Sequence, residues 1–148
     1  MVNEEDVEVF WTRGDIHSRV HLAMTKANLV NKKLEIEELF PIDQYHARGI
    51  AATVDLGKRM PIKKNQSILD IGCGLGGPAR YYTKEFECII TGIDITPSFV
   101  EIGNEFNKIT SMSNKVGLKV GNGEILDFKN ETFDGAYSQH VTMNISDR

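Results

Sequence analysis

The chain has 148 residues, 41% hydrophobic and 26% charged, enough for one domain with a real core and too few for two large ones. Lys and Arg number 17 against 21 Asp and Glu, a net charge of −4, so nothing marks a nucleic-acid or anionic-membrane partner. No apolar run is long enough to span a bilayer.

In chain order, the acidic start MVNEEDVEVFW lacks the basic-then-apolar layout of a secretory signal, and Phe10 with Trp11 reads as a small apolar anchor. His17 and His21 stand four apart, a spacing that can bind metal, but no third ligand accompanies them and no metal site is expected. Residues 1–66 read as helical and irregular, and 19–36 has no β-branched alternation. A clearer helix is predicted over 42–60, capped by Asp43, with Tyr45, Ile50 and Val54 as its apolar stripe and Pro61 as its stop. PIKKNQ, 61–66, is a polar connector.

From residue 67 the pattern becomes strand and helix in alternation. SILDIG is a short apolar strand, Gly76 and Pro78 open a helix to about Phe86, and CIITGID is a second strand ending at Asp94. A helix follows with Thr96 as cap, Pro97 in first position, and Phe99, Ile102, Phe106 and Ile109 on one face. GLKVGNG and TFDGAYSQ are a third and a fourth strand. Apolar strands alternating with helices predict a Rossmann-like α/β parallel sheet covered on both faces, preceded by a helical segment. Ligands of such sheets sit beyond the carboxyl ends of the strands, where strand order reverses. Cys73 and Cys88 suit neither a disulfide scaffold nor a metal site, so a reducing, cytoplasmic compartment is expected. Cys73 reads as a small residue between glycines, a reactive thiol being the other reading.

Gly72, Gly74 and Gly77 spell G-x-G-x-x-G, with Asp94 at about the interval of a ribose-binding acid. A nicotinamide or flavin dinucleotide is one reading; a nucleoside triphosphate is not, since no G-K-[ST] follows. Asp70, two residues before Gly72, points elsewhere. A carboxylate there would face an anionic pyrophosphate, and a buried one needs a cation or donors. An ammonium-bearing adenosine ligand without phosphate supplies both; a structural salt bridge to Lys or Arg is the alternative. For Asp94 the alternative to binding a ribose diol is capping the next helix, a task Thr96 already covers.

The segments ILDIGCGLGGPARYYTKEF, ITGIDITPSFVEIGN, GNGEILDFKNETFDGAYSQHV and MNISDR resemble, in order and spacing, class I S-adenosylmethionine-dependent methyltransferases. The likeness is greatest to the small-molecule branch with the sarcosine/dimethylglycine, quinone and sterol enzymes. LFPIDQYHARGIAAT resembles the segment leading into the core of the sarcosine/dimethylglycine type, so the resemblance covers roughly 39–148. It implies the first half of that fold: a helical segment or lid over 1–66 and an incomplete cofactor-binding core over 67–148. It implies S-adenosylmethionine as cofactor, with Asp70 and the backbone of Gly72, Cys73 and Gly74 at the methionine end. Asp94 would bind the ribose, Ile95 would pack on adenine, and Gln139 joins the cofactor set. Where the family usually has Gly-Asp-Ala, this chain has Gly121-Asn122-Gly123; the Asn122 carbonyl would accept from adenine, with Gly123 beside it and Ile125 or Leu126 as a wall.

Methyl transfer from a sulfonium is an in-line displacement, for which positioning supplies on the order of 7–11 kcal/mol; an amine acceptor needs only a base to keep it unprotonated. His140 is the candidate catalytic side chain, or else it packs a loop. Tyr45, His46 and Arg48 read as a lid, and Tyr45 and His46 with Met143 and Asn144 are candidate substrate contacts, though His46 reads equally as a surface histidine. The implied reaction is methylation of a small molecule, an amine such as sarcosine or dimethylglycine. An NAD(P)-dependent oxidoreductase and a non-catalytic S-adenosylmethionine-binding module are the rivals. The family's complete domain has seven strands, and only about ten residues follow the fourth here. A fragment, a shortened gene product, or a half completed by a partner or a second copy is therefore expected, the fourth strand being an open edge.

Overall fold

The computed structural model describes residues 15–145; Phe10, Trp11 and the final SDR of the MNISDR segment lie outside the described residues. Helices α1 (Ile16–Lys26), α2 (Ile36–Asp43) and α3 (Ile50–Gly57) precede a sheet in which β1 (Ser67–Ile71), α4 (Gly77–Phe86), β2 (Ile89–Asp94), α5 (Pro97–Ile109), β3 (Val116–Val120) and β4 (Gly135–Ser138) follow in turn. All three strand pairings are parallel, in the order β3-β2-β1-β4. Strand order therefore reverses beside β1, and the glycine loop leaves β1 at that point.

The predicted helix over 42–60 is two helices with a connector between them. Asp43 ends α2 instead of capping a helix, and the chain turns through Arg48 at φ +67° and Gly49 at φ +51° before α3 begins. The cause is tertiary. Asp43 is buried against the guanidinium of Arg80 on α4, with Nη2–Oδ2 at 3.1 Å. Arg80, itself fully buried, also donates to Asn107 Oδ1 at 2.6 Å, to the Gly103 carbonyl at 3.1 Å and to the Leu75 carbonyl. Burial raises the Asp43 carboxyl and lowers the guanidinium, while each charge pulls the other back.

Two apolar clusters hold the elements. Ile68, Ile90, Val116 and Leu118 of the strands pack with Ala79 and Tyr82 of α4 and with Val100, Cys88 and Tyr137. Phe99, Ile102 and Phe106, the predicted face of α5, pack with Ile16 and Met24 of α1 and with Leu29, Leu34, Leu39 and Leu75. His17 lies 3.4 Å from Glu101 at the surface. Cys73 and Cys88 are both buried free thiols.

Candidate functional site

The glycine loop is shaped by what a side chain would strike. A Cβ on Gly72, at φ +77°, would lie 2.2 Å from Val141 Cγ2, and one on Gly92 would lie 2.6 Å from Cys73 Cβ. Gly92 thus lets the loop settle onto β2. Gly74, at φ +52°, has nothing within 4 Å of its Cβ position, leaving open space where a ligand can approach the backbone.

The loop's donors turn inward. Gly72 and Cys73 N–H both donate to the Ile93 carbonyl, at 2.8 and 2.9 Å, Gly76 N–H donates to the Cys73 carbonyl at 2.8 Å, and Gly74 N–H donates to Asp94 Oδ2 at 2.9 Å. The start of α4 is covered as well: Pro78 has no N–H, and Gly77 sits against the Asp43 carbonyl, 2.4 Å from its Cβ position. The N–H groups of Gly72–Gly74 are engaged within the fold, so this backbone would meet a ligand through its carbonyls. A pyrophosphate, which requires N–H donors, finds none at these four positions. An ammonium group needs acceptors and is served.

Asp70 is 2% exposed, and its partner is the Tyr137 hydroxyl, 2.7 Å from Oδ2, not a lysine or arginine. The pairing follows from register, since Asp70 on β1 lies opposite Tyr137 on β4. Burial pushes the Asp70 carboxyl up to about 7, opposed by the Tyr137 hydrogen bond and assisted by the Asp94 charge. Asp94 accepts from Gly74 on one oxygen and from the Thr96 N–H, at 2.9 Å, on the other, and burial raises its carboxyl as well. It therefore serves the start of α5, where Thr96 makes no side-chain cap; each carboxylate oxygen keeps lone-pair capacity for a diol. Burial raises the Cys73 thiol well above its usual value, which favours packing over reactivity.

One pocket at the strand ends gathers Asp70, Gly72, Cys73, Gly74, Asp94 and Ile95 with Asn122, Gly123, Gln139, Tyr45, His46, His140 and Asn144. Met143 is not among its walls: it sits in the 3-10 turn Thr142–Asn144, 61% exposed, which corrects its expected place at the substrate. Ile125 and Leu126 are likewise outside it, 75% and 44% exposed, so they do not wall a ring. Asn122 Oδ1 accepts the Glu124 N–H at 2.8 Å, so that carbonyl also holds its own turn. Phe99 and Val141 line the pocket without having been singled out in the sequence. Phe99 was legible only as a core position of α5, and no sequence signal marks Val141.

Tyr45 and His46 lie in the connector between α2 and α3, not in a helix. Tyr45 packs edge-on against Phe99 with centroids 5.7 Å apart, and its hydroxyl accepts from Arg19 at 3.1 Å. His46 stacks on His140. Asp43, Asp70, Asp94 and Glu124 line the pocket, and no lysine or arginine does so among the described residues.

Residues 69–148 match the family model described as a methyltransferase domain. The chain is 32% identical to the sterol 24-C-methyltransferase of Debaryomyces hansenii over 89 residues, 60% of this chain and 24% of that one. A solved structure of Haemonchus contortus phosphoethanolamine N-methyltransferase 2, with phosphomonomethylethanolamine and S-adenosylhomocysteine, superposes with a TM-score of 0.62 at 28% identity. It covers 67% of this chain and 23% of that one. A putative sarcosine dimethylglycine methyltransferase of Galdieria sulphuraria shares the fold, with a TM-score of 0.52, 21% identity, and 60% and 32% of the two chains covered. The chain spans about a quarter of the length of the curated relatives it matches.

Proposed function

The chain belongs to the class I S-adenosylmethionine-dependent methyltransferase family, and from that premise we propose that it binds S-adenosylmethionine in this pocket for methyl transfer to a small molecule. The observation that carries the reading is the polarity of the loop. Its N–H groups point into the fold while a buried carboxyl, paired only with a phenol, lines the pocket. That arrangement suits an ammonium and disfavours the pyrophosphate of a nicotinamide dinucleotide.

When bound, the cofactor supplies a methyl group on a cationic sulfur that departs with the carbon–sulfur electron pair. Asp70 and the loop carbonyls accept from the ammonium, and Asp94 accepts from the ribose hydroxyls. Ile95 and Phe99 pack on the adenine, with Asn122, Gly123 and Gln139 nearby. The connector carrying Tyr45 and His46 is the lid, and it excludes water with Asn144. His140 takes the proton that the acceptor gives up. An amine acceptor such as sarcosine or dimethylglycine is the proposed substrate: its amine suits the imidazoles of the wall, while its carboxylate, like the phosphate of a phosphorylated acceptor, meets no lysine or arginine among the described residues of the pocket.

Calorimetric titration with S-adenosylmethionine and S-adenosylhomocysteine tests this directly. Micromolar binding is expected, lost in Asp70→Ala and Asp94→Ala, with no heat from NADH. A folded chain that binds neither adenosine ligand would sink the proposal. Binding without methylation of any amine, phenol or carboxylate acceptor would leave the alternative, a cofactor-binding module.

A further inference from the structure

His46 and His140 face one another across the pocket's outer end, ring centroids 5.2 Å apart and planes 4° from parallel. Their hydrogen-bond surroundings differ. His46 Nδ1 lies 3.2 Å from the Ala47 carbonyl oxygen. A carbonyl can only accept, so Nδ1 carries the hydrogen. His46 Nε2 lies 3.2 Å from the amide nitrogen of Gln139 and 3.2 Å from Thr53 Oγ1. The amide nitrogen also donates to Thr53 Oγ1 at 3.2 Å, the Thr53 hydroxyl donates to Gln44 Oε1 at 2.6 Å, and the Tyr82 hydroxyl, 3.4 Å from the Gln139 carbonyl oxygen, gives its hydrogen to the Thr53 carbonyl at 2.8 Å. An amide nitrogen has only hydrogens to offer, so His46 Nε2 is a bare acceptor. Of these contacts, those with Ala47 and Gln139 favour the neutral Nδ1–H tautomer.

His140 is in the opposite situation. It follows β4 at φ +58°, is exposed, and makes no side-chain hydrogen bond among the described residues. It lines the pocket, and its ring rests on that of His46.

We propose that His46 is a positioning residue, held as the neutral Nδ1–H tautomer by Ala47 and Gln139, whose flat face seats the His140 ring that takes the acceptor's proton. The proposal rests on the methyl-transfer reading above. Two imidazolium rings at this separation would repel; a neutral ring face against one imidazolium is attractive. Burial and the His140 charge lower the His46 pKa, while the Ala47 hydrogen bond and Asp43 at the end of α2 act the other way. Tyr82 on α4 reaches His46 through Gln139 and through Thr53. Charge on both rings at once is therefore disfavoured, and the Gln139 donor disfavours it on His46.

The test is imidazole nitrogen and carbon NMR on the full chain from about pH 5 to 9, paired with the cofactor titration. His46 is expected to show the Nδ1–H signature and to remain neutral while His140 protonates. Gln139→Glu puts an acceptor where the donor stands. His46 should then gain a proton on Nε2 near neutral pH, and the His140 midpoint should fall by a unit or more, a tenfold loss in proton affinity. Gln139→Met, which removes the donor without adding an acceptor, should move the His140 midpoint less than Gln139→Glu does, and guards against a folding artefact. An Nε2–H tautomer in the wild type, or a His140 titration unmoved by Gln139→Glu, overturns the positioning role even if the cofactor binds. The expected tautomer in a folded chain that binds no cofactor overturns it by the other route, through loss of the reaction, and calorimetry identifies that case.

Discussion

A carboxyl group enclosed with only a phenol for company is comfortable as the acid and costly as the anion, and Asp70 is in that position. Its ordinary value of 3.8 is raised to about 7 in the fold, which fixes the sign of its contribution. Below about pH 4 both folded and unfolded chains hold the proton, and the contribution is complete. As pH rises toward 7 the unfolded chain releases its proton first, so stability declines, by up to roughly 4 kcal/mol once both forms are ionised. Thermal midpoints of the ligand-free protein should therefore fall between about pH 5 and 8 more steeply than those of Asp70→Asn. Asp43, raised in the same direction, acts in both proteins and cancels in that comparison, whereas Asp94, whose charge helps raise Asp70, is coupled to it and is part of the difference. An ammonium ligand prefers the ionised carboxyl, so affinity for S-adenosylmethionine should rise across the same interval and level above it; a flat profile would mean that Asp70 does not meet the ammonium. From the sequence Asp70 could be recognised as a carboxyl needing a partner. That the partner is Tyr137 could not, because the pairing depends on which strand lies beside β1.

The glycine loop shows how one element assigns different tasks to similar residues. Gly72 and Gly74 both have positive φ, but Val141 crowds the first and open space flanks the second. Gly74→Ala should cost about 1–2 kcal/mol for its backbone conformation and fold, yet lose cofactor affinity by tenfold or more in calorimetry. Gly72→Ala adds about 1–3 kcal/mol of overpacking and should show its larger loss in the denaturation midpoint. Equal loss of affinity and stability at both positions would argue that Gly74 faces no ligand. The strands, α4 and α5 were legible because their periodicity and punctuation are local: apolar runs, Pro97 in first position, Phe99, Ile102 and Phe106 on one face. The helix over 42–60 was misread for the same reason, since its interruption comes from Arg80, 37 residues from Asp43.

Across the whole molecule, the buried Arg80–Asp43 pair joins the N-terminal helices to the sheet and so holds the connector of Tyr45 and His46 over the pocket. Arg80→Met leaves Asp43 buried without its cation and should cost about 3–5 kcal/mol in a denaturant melt. Adding Asp43→Leu should recover most of that loss, because the deserted charge is then gone. If the single change were nearly neutral, the pair would not be what fastens these helices.

By itself the sequence determined the alternation of strands and helices, the glycine loop with its two acids, and the family these belong to. All of these are written in neighbouring residues, where spacing alone selects backbone conformation and burial. Only the tertiary structure decided the partners: the phenol on Asp70 from 67 residues away, the Gln139 amide on His46 from 93 residues away, and the inward turn of the loop's N–H groups onto β2. Those choices depend on the strand order β3-β2-β1-β4 and on which groups are left in need of a hydrogen bond once water is excluded, and no local pattern encodes either.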